Sequence, residues 1–92
     1  MTDLEKEILN LYGDRSIQEG RGLLRQAILN VIIKRTNLKE HPNIVAELAV
    51  ALRNLIEEGY LQVSDENSNA LILTESGHKE IYAKGLVRLS AK

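Results

Sequence analysis

Apolar residues near the start of the chain recur at Leu4, Ile8, Leu11 and Tyr12, spaced i, i+4, i+7 and i+8. That spacing predicts a short amphipathic helix. Thr2 and Glu5 frame its start as a T-x-x-E capping box, and Gly13 is expected to end it as a left-handed cap. The stretch "GDRSIQEGRG" (13–22), with three glycines, reads as a loop that Ile17 tacks to the core. Helix 2 is expected over 22–35, with Leu23, Leu24, Ala27, Ile28, Val31 and Ile32 on one broad face. After the connection "TNLKEHPN" (36–43), helix 3 turns Ile44, Leu48, Leu52, Leu55 and Ile56 inward and stops at Gly59. Two β-like runs, "YLQV" (60–63) and "ALIL" (70–73), flank the polar turn "SDENSN" and predict a hairpin. A last helix begins near Thr74 or Ser76 and carries Ile81, Tyr82, Leu86 and Leu89, with Gly85 as a weak point. The expected class is mainly α with a small two-stranded β-hairpin.

Size and composition narrow this little further. With 92 residues, 43% hydrophobic and 27% charged, the chain suits one globular domain with one modest core. Residues 1–20 form the N-terminal helix and loop, 21–82 the core, and 83–92 the end of the last helix or a tail. Cys is absent, which excludes disulfides and thiolate metal sites. No run approaches the roughly 18–20 apolar residues of a membrane span, and the acidic N-terminus lacks the order of a signal peptide. A soluble cytoplasmic protein is the expectation.

Two local signatures carry a resemblance. "LRNLIEEGYLQV" (52–63) resembles the exit from the third helix of a winged helix into its wing. "LILTESGHKEIY" (71–82) is similar to the L-T-x-x-G seam that closes the wing and opens a C-terminal helix in MarR-like and PadR-like regulators. The resemblance covers roughly residues 44–82. It implies a winged helix of three helices, a two-stranded wing and a C-terminal helix, in a dimeric regulator that reads DNA with its third helix. The chain departs from the pattern in three places. A long helix 2 and an eight-residue connection precede helix 3, the wing tip (65–69) lacks arginine, and the outer face of helix 3 is nearly uncharged or acidic.

The net charge of −1 conceals a segregation that bears on function. Residues 21–42 carry five basic side chains and one acidic, whereas 43–70 carry one basic and five acidic. Arg21, Arg25, Lys34, Arg35 and Lys39 are the one basic stripe. Helix 3 should show Asn43, Ala46, Glu47, Val50, Arg53, Asn54 and Glu57 outward. Of these, Asn43, Val50, Arg53 and Asn54 have the chemistry to read base edges, and small Ala46 permits close approach. The phosphate grip is then expected from Lys34, Arg35, Lys39 and His41. The competing expectation is a protein-interaction module within a larger assembly, docking through Ala46 and Val50 without DNA binding. Leu29 and Ile33 lie off the core face of helix 2 and are the expected contacts of a homodimer. The turn Asp, Asn and Ser residues of the hairpin serve the turn itself, and Lys79, Lys84, Arg88 and Lys92 serve solubility. His41 and His78 lack metal-ligand spacing, "EGRG" lacks the Lys-Ser/Thr of a phosphate loop, and no catalytic constellation stands out. No enzyme, metal or cofactor is expected.

Overall fold

The computed structural model describes residues 1–82, in the order α1 (Asp3–Asp14), β1 (Gly22–Leu24), α2 (Arg25–Arg35), α3 (Ile44–Glu57), β2 (Leu61–Val63), β3 (Ala70–Leu73) and α4 (Glu75–Tyr82). The expected positions Lys84, Gly85, Leu86, Arg88, Leu89 and Lys92 lie outside the described residues. The fold is mainly helical with one small antiparallel sheet in the order β1-β3-β2.

The first correction is that third strand. Residues 22–24 are not the first turn of helix 2; they pair antiparallel with β3, Gly22 opposite Ile72 and Leu24 opposite Ala70. The glycine is required there, because a Cβ on Gly22 would lie 2.6 Å from the Leu71 carbonyl oxygen. Helix α2 therefore begins at Arg25 with Leu24 as an extended N-cap. Leu24, expected inside, is 51% exposed, and Leu23 is only half-buried. The hairpin strands fall where the alternation put them, with Leu61 opposite Leu73 and Val63 opposite Leu71.

The second correction concerns the end of α1. Gly13 does not cap the helix but is buried within it. The left-handed residue is Ser16 at φ 55°. The Ile17 N–H donates to the Tyr12 carbonyl and the Ser16 N–H to the Gly13 carbonyl, both at 2.9 Å. This is the 6→1 and 5→2 pairing of a Schellman cap, made three residues later than a glycine rule suggests. The same pairing closes α3, where Tyr60 donates to Leu55 at 2.9 Å and Gly59, at φ 85°, donates to Ile56 at 3.0 Å.

Around the small sheet the helices enclose one core. Ile8, Leu9 and Tyr12 of α1, Ile28 and Ile32 of α2, Leu48, Leu52 and Leu55 of α3, and Leu61, Leu71, Leu73 and Ile81 are all buried. Ile17 packs on this core from its loop, as expected. The Tyr12 hydroxyl donates to the Leu71 carbonyl at 2.7 Å, tying α1 to β3 across the middle of the molecule. Burial pushes its pKa well above the usual phenol range, so the hydroxyl stays a donor.

The L-T-x-x-G seam has a local physical cause. Thr74 Oγ1 accepts the Gly77 N–H at 3.0 Å, capping α4. The same hydroxyl lies 2.5 Å from the Gly59 carbonyl oxygen and 3.0 Å from that of Tyr60, so its one proton serves either. A Cβ on Gly77 would collide with the Tyr60 carbonyl oxygen and lie 2.8 Å from Leu73 Cδ1. Glycine thus lets α4 sit directly on the α3–β2 junction.

Candidate nucleic-acid interface

Helix α3 is held by one side only. Ile44, Leu48, Ala51, Leu52 and Leu55 are buried, and the opposite side is open. Val45 is 59% exposed and Val50 57%, beside exposed Ala46, Ala49 and Arg53. Pro42 precedes the helix and Asn43 is its N-cap, exposed and without a side-chain capping bond. Of the predicted base-reading residues, Asn43, Val50 and Arg53 are thus on the open side.

Asn54 is not free in the same way. Its side chain is half-buried, and its amide donates at 3.0 Å to Glu5 Oε2 across from α1. Glu5 is itself 4% exposed and completes the capping box, Oε1 accepting the Thr2 N–H at 3.3 Å. Burial alone raises the Glu5 pKa, but the bonds from Asn54 and Thr2 outweigh it and hold the carboxyl below its ordinary value. The expected base reader is therefore a structural ligand of a buried carboxylate. Beside this pair lies a shallow apolar groove of about 360 Å³ between the start of α1 and α3, floored by Leu4, Ala46, Val50 and Ala51.

Of the predicted phosphate contacts, His41 reaches the first turn of α3, and Arg35 shares a cleft with it. Lys34 and Arg35 are exposed in the last turn of α2. Lys39 and His41 stand in a single helical turn made by Asn37. The Glu40 and His41 N–H groups both donate to the Asn37 carbonyl at 3.0 Å, and the Lys39 N–H donates to Asn37 Oδ1 at 3.0 Å. Arg35 and His41 share a polar cleft with Glu7 and Glu40, and His41 Nδ1 is 3.7 Å from Glu47 Oε1. That contact is an ion pair only when His41 is protonated, and Lys79 pairs with Glu75 one turn away at 3.5 Å. Arg21, Arg25, Lys34, Arg35, Lys39 and Arg53 take part in neither of these two contacts.

Two features went unread in the sequence. The β2–β3 loop does not stand away from the body: the Arg25 N–H donates to the Asn69 carbonyl at 2.6 Å, and Asn67 and Asn69 line a cleft with Leu24, Arg25 and Gln26. Arg25 is thereby set beside the loop tip that itself lacks a cation. Val45 and Ala49 extend the open face of α3, and being apolar they carry no chemical mark of an exposed position.

The predicted dimer contacts Leu29 and Ile33 are half-buried and pack against the core of their own chain. No helix among the described residues is long and apolar enough to cross a membrane. Comparison with family models, with characterised proteins and with solved structures yields no significant match.

Proposed function

We propose that this chain is a small winged-helix-like protein that binds duplex DNA through α3, acting as a transcriptional regulator of the MarR-like or PadR-like kind. The observation that carries the reading is the arrangement around α3. The helix follows α1, β1 and α2, precedes an antiparallel β2–β3 pair, and keeps its outer side open, apart from the Asn54 flank, with small residues and Arg53 upon it. Lys34 and Arg35 in the last turn of α2 and Lys39 in the connection that leads into α3 are exposed and take part in neither of the two ion contacts above. In this reading α3 enters the major groove, where Arg53 and Asn43 face base edges and Val50 meets a thymine methyl. The cations of the last turn of α2 and of the connection after it take the phosphates and supply most of the affinity. Asn54 is assigned to the scaffold rather than to DNA.

Gel shifts of varied duplexes at low and moderate salt test this directly. Binding is expected to fall steeply with salt. Arg53→Ala lowers affinity, and Lys34→Ala with Arg35→Ala reduces the salt slope by about one for each phosphate no longer neutralised. No retention of any duplex at low salt defeats the proposal.

A second reading gives the outer side of α3 to a protein instead. The exposure of Val50 beside the groove floored by Leu4 and Ala51 favours it.

A further inference from the structure

We propose that α3 docks on a second copy of the chain through the row Glu47, Val50 and Arg53. Spaced by three, these residues form one i, i+3 ridge on the helix surface. Val50 is 57% exposed and Arg53 is exposed with no ion pair among the described residues, while the Glu47 side chain is 47% exposed with Oε1 3.7 Å from His41 Nδ1, so one carboxylate oxygen remains open to a partner. The ridge therefore runs from acid through aliphatic to base. The segment around it reads E-L-A-V-A-L-R (47–53), the same residue types leading away from Val50 in both directions and opposite charges at the ends.

Such a ridge matches its own reverse. A two-fold axis passing by Val50 sets Glu47 of each copy against Arg53 of the other, with the two valines between them. One contact thus makes two reciprocal ion pairs. Because i, i+3 ridges lie at about 45° to the helix axis, antiparallel ridges bring the two helices to a near-perpendicular crossing. Exposed Ala46 and Ala49 beside the ridge leave room for the backbones to approach.

The charge order selects this occupant over others. An acidic surface suits Arg53 and is repelled by Glu47; a basic surface has the opposite conflict; duplex DNA meets the first of these. A surface with both signs in reverse order satisfies the whole ridge, and the chain itself presents one. The competing α2 face has Leu29 and Ile33 already packed on their own core. The contact is small against the roughly 1,200–2,000 Å² of a stable interface, so the dimer is weak, concentration-dependent and salt-sensitive. If the DNA reading holds, as this consequence requires, self-association covers Val50 and Arg53 and competes with duplex.

The test is charge exchange in the full chain, read by sedimentation velocity over a concentration series. Wild type is expected to dimerise. Glu47→Arg alone and Arg53→Glu alone each turn both pairs repulsive and weaken the dimer at least about tenfold. An equimolar mixture of the two variants restores a 1:1 dimer, since one copy then carries two arginines on its ridge and the other two glutamates, and both pairs attract. The double exchange restores the homodimer. Circular dichroism verifies the fold of each, and Val50→Asp, also expected to abolish the dimer, replaces any variant that fails to fold. Wild type monomeric at the highest concentration, single variants associating like wild type, or a mixture that stays monomeric overturns the proposal. None of these measurements uses DNA, so failure of the gel shift leaves this result standing, and the reverse holds equally.

Discussion

Asn54→Ala removes one of the two groups that hold the buried Glu5 carboxylate. A hydrogen bond to a charged group contributes about 1.5–3 kcal/mol. Glu5 keeps its bond from the Thr2 N–H, so a loss of about 2 kcal/mol is expected, reduced by about 0.5 kcal/mol because alanine suits a helix better than asparagine. The net cost of about 1.5 kcal/mol corresponds to a melting temperature lower by about 6–12 °C in a chain of this size. In urea the midpoint falls by about 1.5 M at a slope of about 1 kcal/mol/M. The pH dependence follows from the sign of the shift. Glu5 is held below its ordinary value of 4.5 in the folded chain, so its contribution is fully present above that value and is lost as pH falls through the lowered folded pKa. In Asn54→Ala the carboxyl loses the bond that lowered it and keeps the burial that raises it. The difference between the two proteins is therefore full above both folded pKa values and shrinks as pH falls through the variant's value toward the lower one of wild type. Urea titrations of both proteins at neutral and acid pH measure this. A variant within about 0.5 kcal/mol of wild type at pH 7, or a difference that does not change with pH, refutes the role assigned to Asn54.

Two further substitutions probe the helix ends. Gly77→Ala forces a methyl group into the Tyr60 carbonyl, a backbone atom with little freedom to yield, and is expected to cost about 2 kcal/mol by overpacking, seen as a lower thermal midpoint. Ser16→Gly relieves a left-handed serine and is expected to stabilise by about 0.5 kcal/mol after the extra chain entropy of glycine is set against it. A rise in the urea midpoint checks it.

The elements legible in the sequence were those fixed by their own neighbours. The capping box at Thr2, the Schellman end at Gly59 and the seam at Thr74 are each written within a few residues, and each stands where the pattern put it. Strand β1 was hidden because its three residues, "GLL", gain their partners from β3 almost 50 residues onward. Read locally, two leucines before "RQAIL" continue a helical face. Gly13 misled for a related reason: its intrinsic preference for a cap yielded to burial, which carries α1 on to Asp14. Asn54 shows the limit of a helical wheel at the candidate site. The wheel correctly puts it away from the seam of Leu48, Leu52 and Leu55, yet cannot say that Glu5 of another helix waits on that flank.

The two uses proposed for α3 make different demands on the same few charges. On its open side Arg53 attracts phosphate while Glu47 and Glu57 oppose it, so α3 alone offers a duplex no net attraction. Net attraction to phosphate must come from Arg21, Arg25, Lys34, Arg35 and Lys39, none of which lies in the ridge of Glu47, Val50 and Arg53. Counterion release makes the logarithm of DNA affinity fall linearly with the logarithm of salt, with a slope set by the number of phosphates neutralised. Two exposed ion pairs in a dimer contact are merely screened, and their contribution fades as the Debye length shrinks to a few ångström. Salt therefore separates the two equilibria. With rising salt the DNA complex weakens without a floor, while the dimer settles at the residual affinity of its Val50 contact.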